Sequence, residues 1–102
     1  MEVIFSNRYL KELVENEGKA KGKPQYPPQV IKGFLRKIKM LRAYTRAECQ
    51  LIPGLNWEML TGNKAGLHSI RINKKYRIEF IPSTDGKIEI VDIQNLSNHY
   101  GN

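Results

Sequence analysis

The sequence has few of the residues that build metal centres, crosslinks or redox pairs. One cysteine, Cys49, and two histidines, His68 and His99, are all that 102 residues contain. A lone thiol makes no internal disulfide, which fits a reducing compartment, so a cytoplasmic location is expected. Cys49 stands beside "LIPG" and reads as a small packing residue. One thiol and two distant imidazoles give no zinc-ligand spacing, so neither a metal nor another cofactor is expected. No apolar run approaches the roughly 18–20 residues that a membrane span needs. The start, "MEVIFSNRYLK", lacks the basic-then-apolar pattern of a signal peptide. Negative charge is scarce as well: ten Asp and Glu stand against seventeen Lys and Arg, a formal net charge of +7. Such an excess on a small body favours polyanionic partners, nucleic acid first, over a merely soluble basic surface.

What is present suffices for one domain, residues 1–102, with a single core. "MEVIFS" alternates as a short strand, and Ser6 or Asn7 can cap a helix from Arg8 through "YLKELVENE" that stops at Gly18. "GKAKGKPQYPP" reads as an exposed loop. From Pro28, "QVIKGFLRKIKMLRAYTRAE" reads as one long helix with an apolar stripe of Ile31, Phe34, Leu35, Ile38 and Leu41. Lys32, Arg36, Lys39 and Arg46 fall together on another, almost purely positive, face. Strands follow at "NWEML", "LHSIRI", "YRIEF" and "KIEIVDI", separated by the turns "TGNKAG" and "STDG". The order β-α-α-β-β-β-β predicts an α+β domain: a mainly antiparallel sheet with two N-terminal helices packed on one face. Trp57, Ile70, Ile72, Tyr76, Ile78, Phe80, Ile88 and Ile90 are the core candidates. His68, in phase with Ile70 and Ile72, is expected to be buried.

The stretch "SIRINKKYRIEF" carries the most information. A three-residue loop of Asn73, Lys74 and Lys75 pairs Ile72 with Tyr76, Ile70 with Ile78, and Arg71 with Arg77, keeping apolar residues on one face. Two guanidiniums directly across from each other repel. Either carboxylates such as Glu58 and Glu79 neutralise them, or the pair awaits a phosphate.

"IPGLNWEMLTGNKAGLHSIRINKKYRIEF", followed by a β-rich strand and a terminal "HY", resembles the RelE/ParE superfamily of toxins from type II toxin–antitoxin systems. The pattern L-x-G-x-x-x-G-x-x-S-I-R-I-N-x-x-Y-R-I is similar to the HigB branch, and the terminal His-Tyr to the YoeB branch. The resemblance implies a small RelE-like fold and a ribosome-dependent mRNA endonuclease that arrests translation. It further implies a cognate antitoxin, acidic in its binding segment and encoded alongside, through which the pair binds operator DNA. Two departures stand out. Thr61 occupies a position where many HigB-like toxins carry lysine, so that cation is either absent or supplied by Lys64. "VDIQNLS" separates Asp92 from His99, where HigB-like chains end in Asp-Tyr-His, so the YoeB-like correspondence is followed at this end.

By that correspondence the catalytic set is Glu58, Arg77, His99 and Tyr100. Metal-free RNA cleavage needs a base at the 2′-OH, an acid at the departing 5′-oxygen and positive charge on the phosphate. Glu58 fits the base, His99 the acid, and Arg77 with Arg71 the charge. Tyr100 fits a ring stacked on an unpaired base. This assignment requires the last strand to return the C-terminus beside Arg77. Lys32, Arg36, Lys39 and Arg46, with the loop lysines Lys19, Lys21 and Lys23, suit ribosomal RNA phosphates. Two other readings compete: a ParE-like DNA gyrase inhibitor of the same fold, and an RNA-binding module without turnover.

Overall fold

The computed structural model describes residues 1–98. Along the chain run β1 (Glu2–Phe5), α1 (Arg8–Glu15), α2 (Pro28–Ala43), α3 (Arg46–Leu51), β2 (Glu58–Met59), β3 (His68–Arg71), β4 (Tyr76–Asp85) and β5 (Ile88–Asn98). The strands form one sheet in the order β1-β5-β4-β3-β2. Every neighbouring pair is antiparallel except β1 with β5, which is parallel. The α+β class and mainly antiparallel sheet match the sequence reading, and α3 is an addition to it.

Local chemistry explains most of the boundaries. The Asn7 side chain accepts from the Leu10 N–H at 3.1 Å and opens α1. Pro28, at the first helical position, opens α2. The expected single long helix is in fact two. Tyr44 is extended, and a capping box begins α3. The Thr45 hydroxyl accepts from the Glu48 N–H at 3.1 Å, and the Glu48 carboxylate accepts from the Thr45 N–H at 2.9 Å. This corrects the place of Arg46. It belongs to α3 rather than to the positive stripe of α2 that carries Lys32, Arg36 and Lys39.

The helices cover one face of the sheet. Leu10 and Leu13 of α1, Val30, Phe34, Ile38 and Leu41 of α2, and Cys49 of α3 pack with Ile70, Ile78, Phe80, Val91, Ile93 and Leu96 into one core. Burial pushes the Cys49 thiol pKa up, consistent with a packing role. Tyr26 pins the lysine-rich loop, its ring centroid 6.2 Å from that of Tyr9. The same ring meets Tyr76 edge-on at 6.0 Å, a favoured aromatic arrangement.

Two core expectations need correction. Ile88 is 52% exposed, and Ile90 is only partly buried. "KIEIVDI" has apolar residues in both strand phases, and the phase of Val91 and Ile93 faces the helices. Pairing of Phe80 with Ile93 sets that choice, next to an irregularity in register after Glu79.

Candidate functional site on the open face of the sheet

β3 and β4 pair as the three-residue loop requires: Ile70 with Ile78 and Arg71 with Arg77. The Asn73 carboxamide oxygen closes the turn by accepting from the N–H groups of Lys75 and Tyr76, both at 2.8 Å. Asparagine commonly bonds backbone in this way at turns. Because side chains alternate along a strand, the partner set opposite to the core projects from the open face. One rung there carries Glu58, Ser69 and Glu79, and the next carries Arg71, Arg77 and Ser97. The two rungs lie about 7 Å apart, the rise of two strand residues.

Glu79 answers the question raised by the facing arginines. It is 0% exposed, and donors from three elements reach its Oε2. Lys64 Nζ donates to it at 2.7 Å and Ser97 Oγ at 3.0 Å, while Arg77 Nη2 stands 3.3 Å away. Arg77 Nε also donates to Ser97 Oγ at 3.0 Å, so carboxylate, hydroxyl and guanidinium close a ring of contacts. Burial by itself raises the Glu79 pKa. The hydrogen bonds from Lys64 and Ser97, the Lys64 charge and, more weakly, Asn95 outweigh it and hold the carboxyl below the ordinary range.

Glu58 stands apart from that network. It is exposed, and its Oε1 accepts from Asn56 Nδ2 at 2.8 Å. The ion pairs found among the described residues both belong to Glu79, so Glu58 is not the ionic partner of Arg71 or Arg77 there. Lys64 sits on a short helical turn, Gly62–Lys64, that aims its ammonium into the cluster while leaving the side chain 41% exposed. Arg71 is exposed, and the Arg77 side chain is 17% exposed.

The other site candidates lie elsewhere or outside the described residues. Lys32, Arg36 and Lys39 are exposed on α2, a helix that packs against the opposite side of the sheet. The Arg46 guanidinium lies over the Trp57 ring, 5.6 Å from its centroid, within the range of a cation–π contact. The Arg46 N–H donates to Glu89. His99 and Tyr100 lie outside the described residues. Strand β5 runs on beyond "VDI" to pair Ser97 with Arg77 and Asn98 with Tyr76. Asp92 pairs with Ile81, four residues along β4 from Arg77, and accepts from Ser6 Oγ. At the usual strand rise that separation is about 13 Å. His68 is buried under the sheet, where its Nδ1 accepts from Trp57 Nε1 at 2.9 Å. Burial, then the nearby Arg46 charge, lowers its pKa.

Sequence reasoning named Glu79 only as one possible neutraliser and missed Ser97 altogether. Both were within reach of it. Extending the Arg71–Arg77 register by two residues puts Glu79 on the arginine face, and extending the last strand through "QNLS" puts Ser97 beside them.

The fold and the sequence agree on a class. A YoeB/ParE toxin from Agrobacterium tumefaciens superposes with a TM-score of 0.58 at 16% identity, covering 98% of this chain and 100% of that one. YafQ from Escherichia coli strain BL21(DE3) gives 0.58 at 9% identity, over 95% and 91% of the chains. A Staphylococcus aureus YoeB–YefM complex gives 0.56 at 20% identity, over 98% of each. These likenesses define the fold. The sequence profile of RelE-like HigB toxins of type II toxin–antitoxin systems matches residues 3–95, and the chain belongs to that HigB-like toxin family. Toxin HigB-1 of Vibrio cholerae serotype O1 is 30% identical over 81 residues, 78% of this chain and 82% of the relative.

Proposed function

We propose that this type II toxin is a ribosome-dependent mRNA endonuclease that cuts by intramolecular attack and needs no metal. In this reading Glu58 removes the proton of a 2′-hydroxyl. The 2′-oxygen bonds to phosphorus as the P–O5′ bond breaks, leaving a 2′,3′-cyclic phosphate and a 5′-hydroxyl. His99 gives the proton to the departing oxygen, and Tyr100 stacks on a neighbouring base. Arg77, with Arg71 and Lys64, carries the negative charge that builds on the phosphate.

One observation carries the reading: Glu58 and the Arg71–Arg77 pair rise from adjacent rungs of the sheet face opposite the helices. A carboxylate and two guanidiniums raised from adjacent rungs of one face suit an acid–base reaction better than a purely binding role. The described part of β5 ends with Ser97 opposite Arg77 and Asn98 opposite Tyr76. Lys32, Arg36 and Lys39 on α2, and Arg46 on α3, then hold ribosomal RNA phosphates away from the chemistry. Such a toxin works in the cytoplasm beside an inhibitory antitoxin, which also carries the pair to operator DNA. The YoeB–YefM complex supplies the analogy for that pairing. No helix among the described residues is long and apolar enough to cross a membrane.

Expressing the toxin beside two reporter transcripts, one translated and one lacking a start codon, tests the proposal. New ends bearing 5′-hydroxyls are expected inside the translated transcript alone, and Glu58→Gln or His99→Ala should abolish them. Growth arrest with intact transcripts and inhibited DNA supercoiling would overturn it in favour of gyrase inhibition.

A further inference from the structure

A fully buried carboxylate in the middle of an otherwise open sheet face calls for a physical reason. Taking an anion out of water is costly, and well-packed apolar residues commonly stabilise such a position as well or better. Glu79 nevertheless lies on β4, the middle strand of the sheet, where two hydrogen-bond donors and the Arg77 guanidinium reach it from three separate elements. Lys64 comes from the turn before β3, Arg77 from β4 itself, and Ser97 from β5.

The arrangement constrains one guanidinium in particular. Arg77 is held at Nη2 by Glu79 Oε2 and at Nε by Ser97 Oγ, and the same hydroxyl donates to the same carboxylate oxygen. Two anchors along the Nε/Nη2 edge of a planar group fix its plane as well as its position. Glu79 also draws in Lys64, whose flexible stem would otherwise leave the ammonium in solvent. Arg71, Arg77 and Lys64 against Glu79 still leave the cluster net positive, so an arriving phosphodiester meets an attractive field. We infer that Glu79 is a positioning residue: it spends no contact on RNA but holds Arg77 and Lys64 as a prearranged pair of cations facing one phosphodiester. The catalytic part of this inference rests on the endonuclease reading, whereas the orienting part does not.

The two parts call for two readouts. Glu79→Gln keeps the shape and removes the charge. In the intact toxin, the Arg77 Nε–H resonance in a ¹⁵N spectrum should be sharp and slow to exchange with water in the native protein. In the variant it should broaden or exchange at least tenfold faster. In ribosome-programmed cleavage, the variant should lose about 10–100-fold in kcat, the scale of a misplacement near 1 Å. Its KM should stay level or fall, because removing an anion strengthens phosphate attraction. A structural defect alone would instead lower the melting temperature and reduce the active fraction without loosening Arg77 in the molecules that remain folded. If Glu79→Gln does not fold, Ser97→Ala removes the second anchor and must loosen the same resonance. An unchanged Arg77 signal in a folded variant overturns the inference whatever the activity. Loosening of Arg77 with native kcat overturns its catalytic part. Loosening in a protein whose native form cuts no translated mRNA supports the orienting role and refutes the endonuclease reading instead.

Discussion

Gly33 on α2 sets how closely the helix layer approaches the β3–β4 hairpin, and Gly33→Ala turns that closeness into a measurement. A Cβ at this position would stand 2.6 Å from Ile72 Cγ2 and 3.8 Å from the Ile72 carbonyl oxygen. Carbon atoms prefer about 3.5–4.0 Å. Two effects of opposite sign compete. Alanine in a helix interior is favoured over glycine by about 0.8–1.0 kcal/mol. Forcing a methyl into a close-packed contact costs about 1–3 kcal/mol. Cγ2 hangs directly from the Ile72 Cβ, and the Ile72 N–H is bonded to the Tyr76 carbonyl at 2.9 Å, so relief needs the backbone of the hairpin to move. Clash therefore wins, with a net loss of about 1 kcal/mol once the helix gain is set against a mid-range clash. For a domain of this size that lowers the melting temperature by roughly 4–8 °C. Circular dichroism melts of the single variants and of Gly33→Ala/Ile72→Leu complete the test. Leucine has no γ-methyl on its Cβ, so at least half of the loss should be recovered in the double variant as a favourable coupling. A Gly33→Ala protein that melts at or above the native temperature would refute the reasoning.

Two further outcomes follow from side-chain polar contacts. The folded His68 pKa lies below its ordinary 6.5, because burial and then Arg46 disfavour the imidazolium. Below about pH 6.5 the unfolded chain takes up a proton that folded His68 resists, so stability declines with acidification and levels above that pH. Glu79, also depressed, begins to lose its contribution only below its ordinary 4.5, outside this window. Urea midpoints at pH 7 and 5.5 should fall more in the native protein than in His68→Gln; equal falls would contradict the burial of His68 near Arg46. Thr45→Ala removes the hydroxyl half of the α3 capping box and leaves the Glu48 N–H without its acceptor. It should cost about 0.5–2 kcal/mol in urea unfolding, with α2 intact. No change would mean that the break after Tyr44 is held by something else.

Much of the site was legible because β-register is nearly digital. A one-residue slip at "NKK" would have set Ile70 against Arg77, so the apolar alternation alone fixed Arg71 opposite Arg77. The start of α2 was equally plain at Pro28, whereas the cap of α1 was narrowed only to Ser6 or Asn7, and Asn7 is the one that caps it. The break at Tyr44 was harder, since "AYTRAE" continues a helical pattern and only the Thr45–Glu48 spacing betrays a new start. Ile88 and Ile90 were misjudged because the last strand is apolar in both phases, leaving the choice to tertiary pairing. Glu79 was ambiguous for a different reason: a carboxylate beside arginines reads as a solvated neutraliser, and nothing local reveals that Lys64 and Ser97 seal it from water. His99 and Tyr100 were named from the resemblance of the terminal His-Tyr and lie outside the described residues.

Everything proposed for the chemistry turns on Arg77 stabilising charge on a phosphodiester during cleavage. Ribosomes programmed with a defined mRNA, mixed with native toxin or with Arg77→Ala in the presence of a metal chelator that spares ribosomal magnesium, measure it directly. Native toxin should leave 2′,3′-cyclic phosphate ends, and the variant should be slower by about 10²–10³-fold, the usual scale for losing one charge-stabilising donor. Cleavage by Arg77→Ala at the native rate, or no cleavage by either protein, would contradict the account.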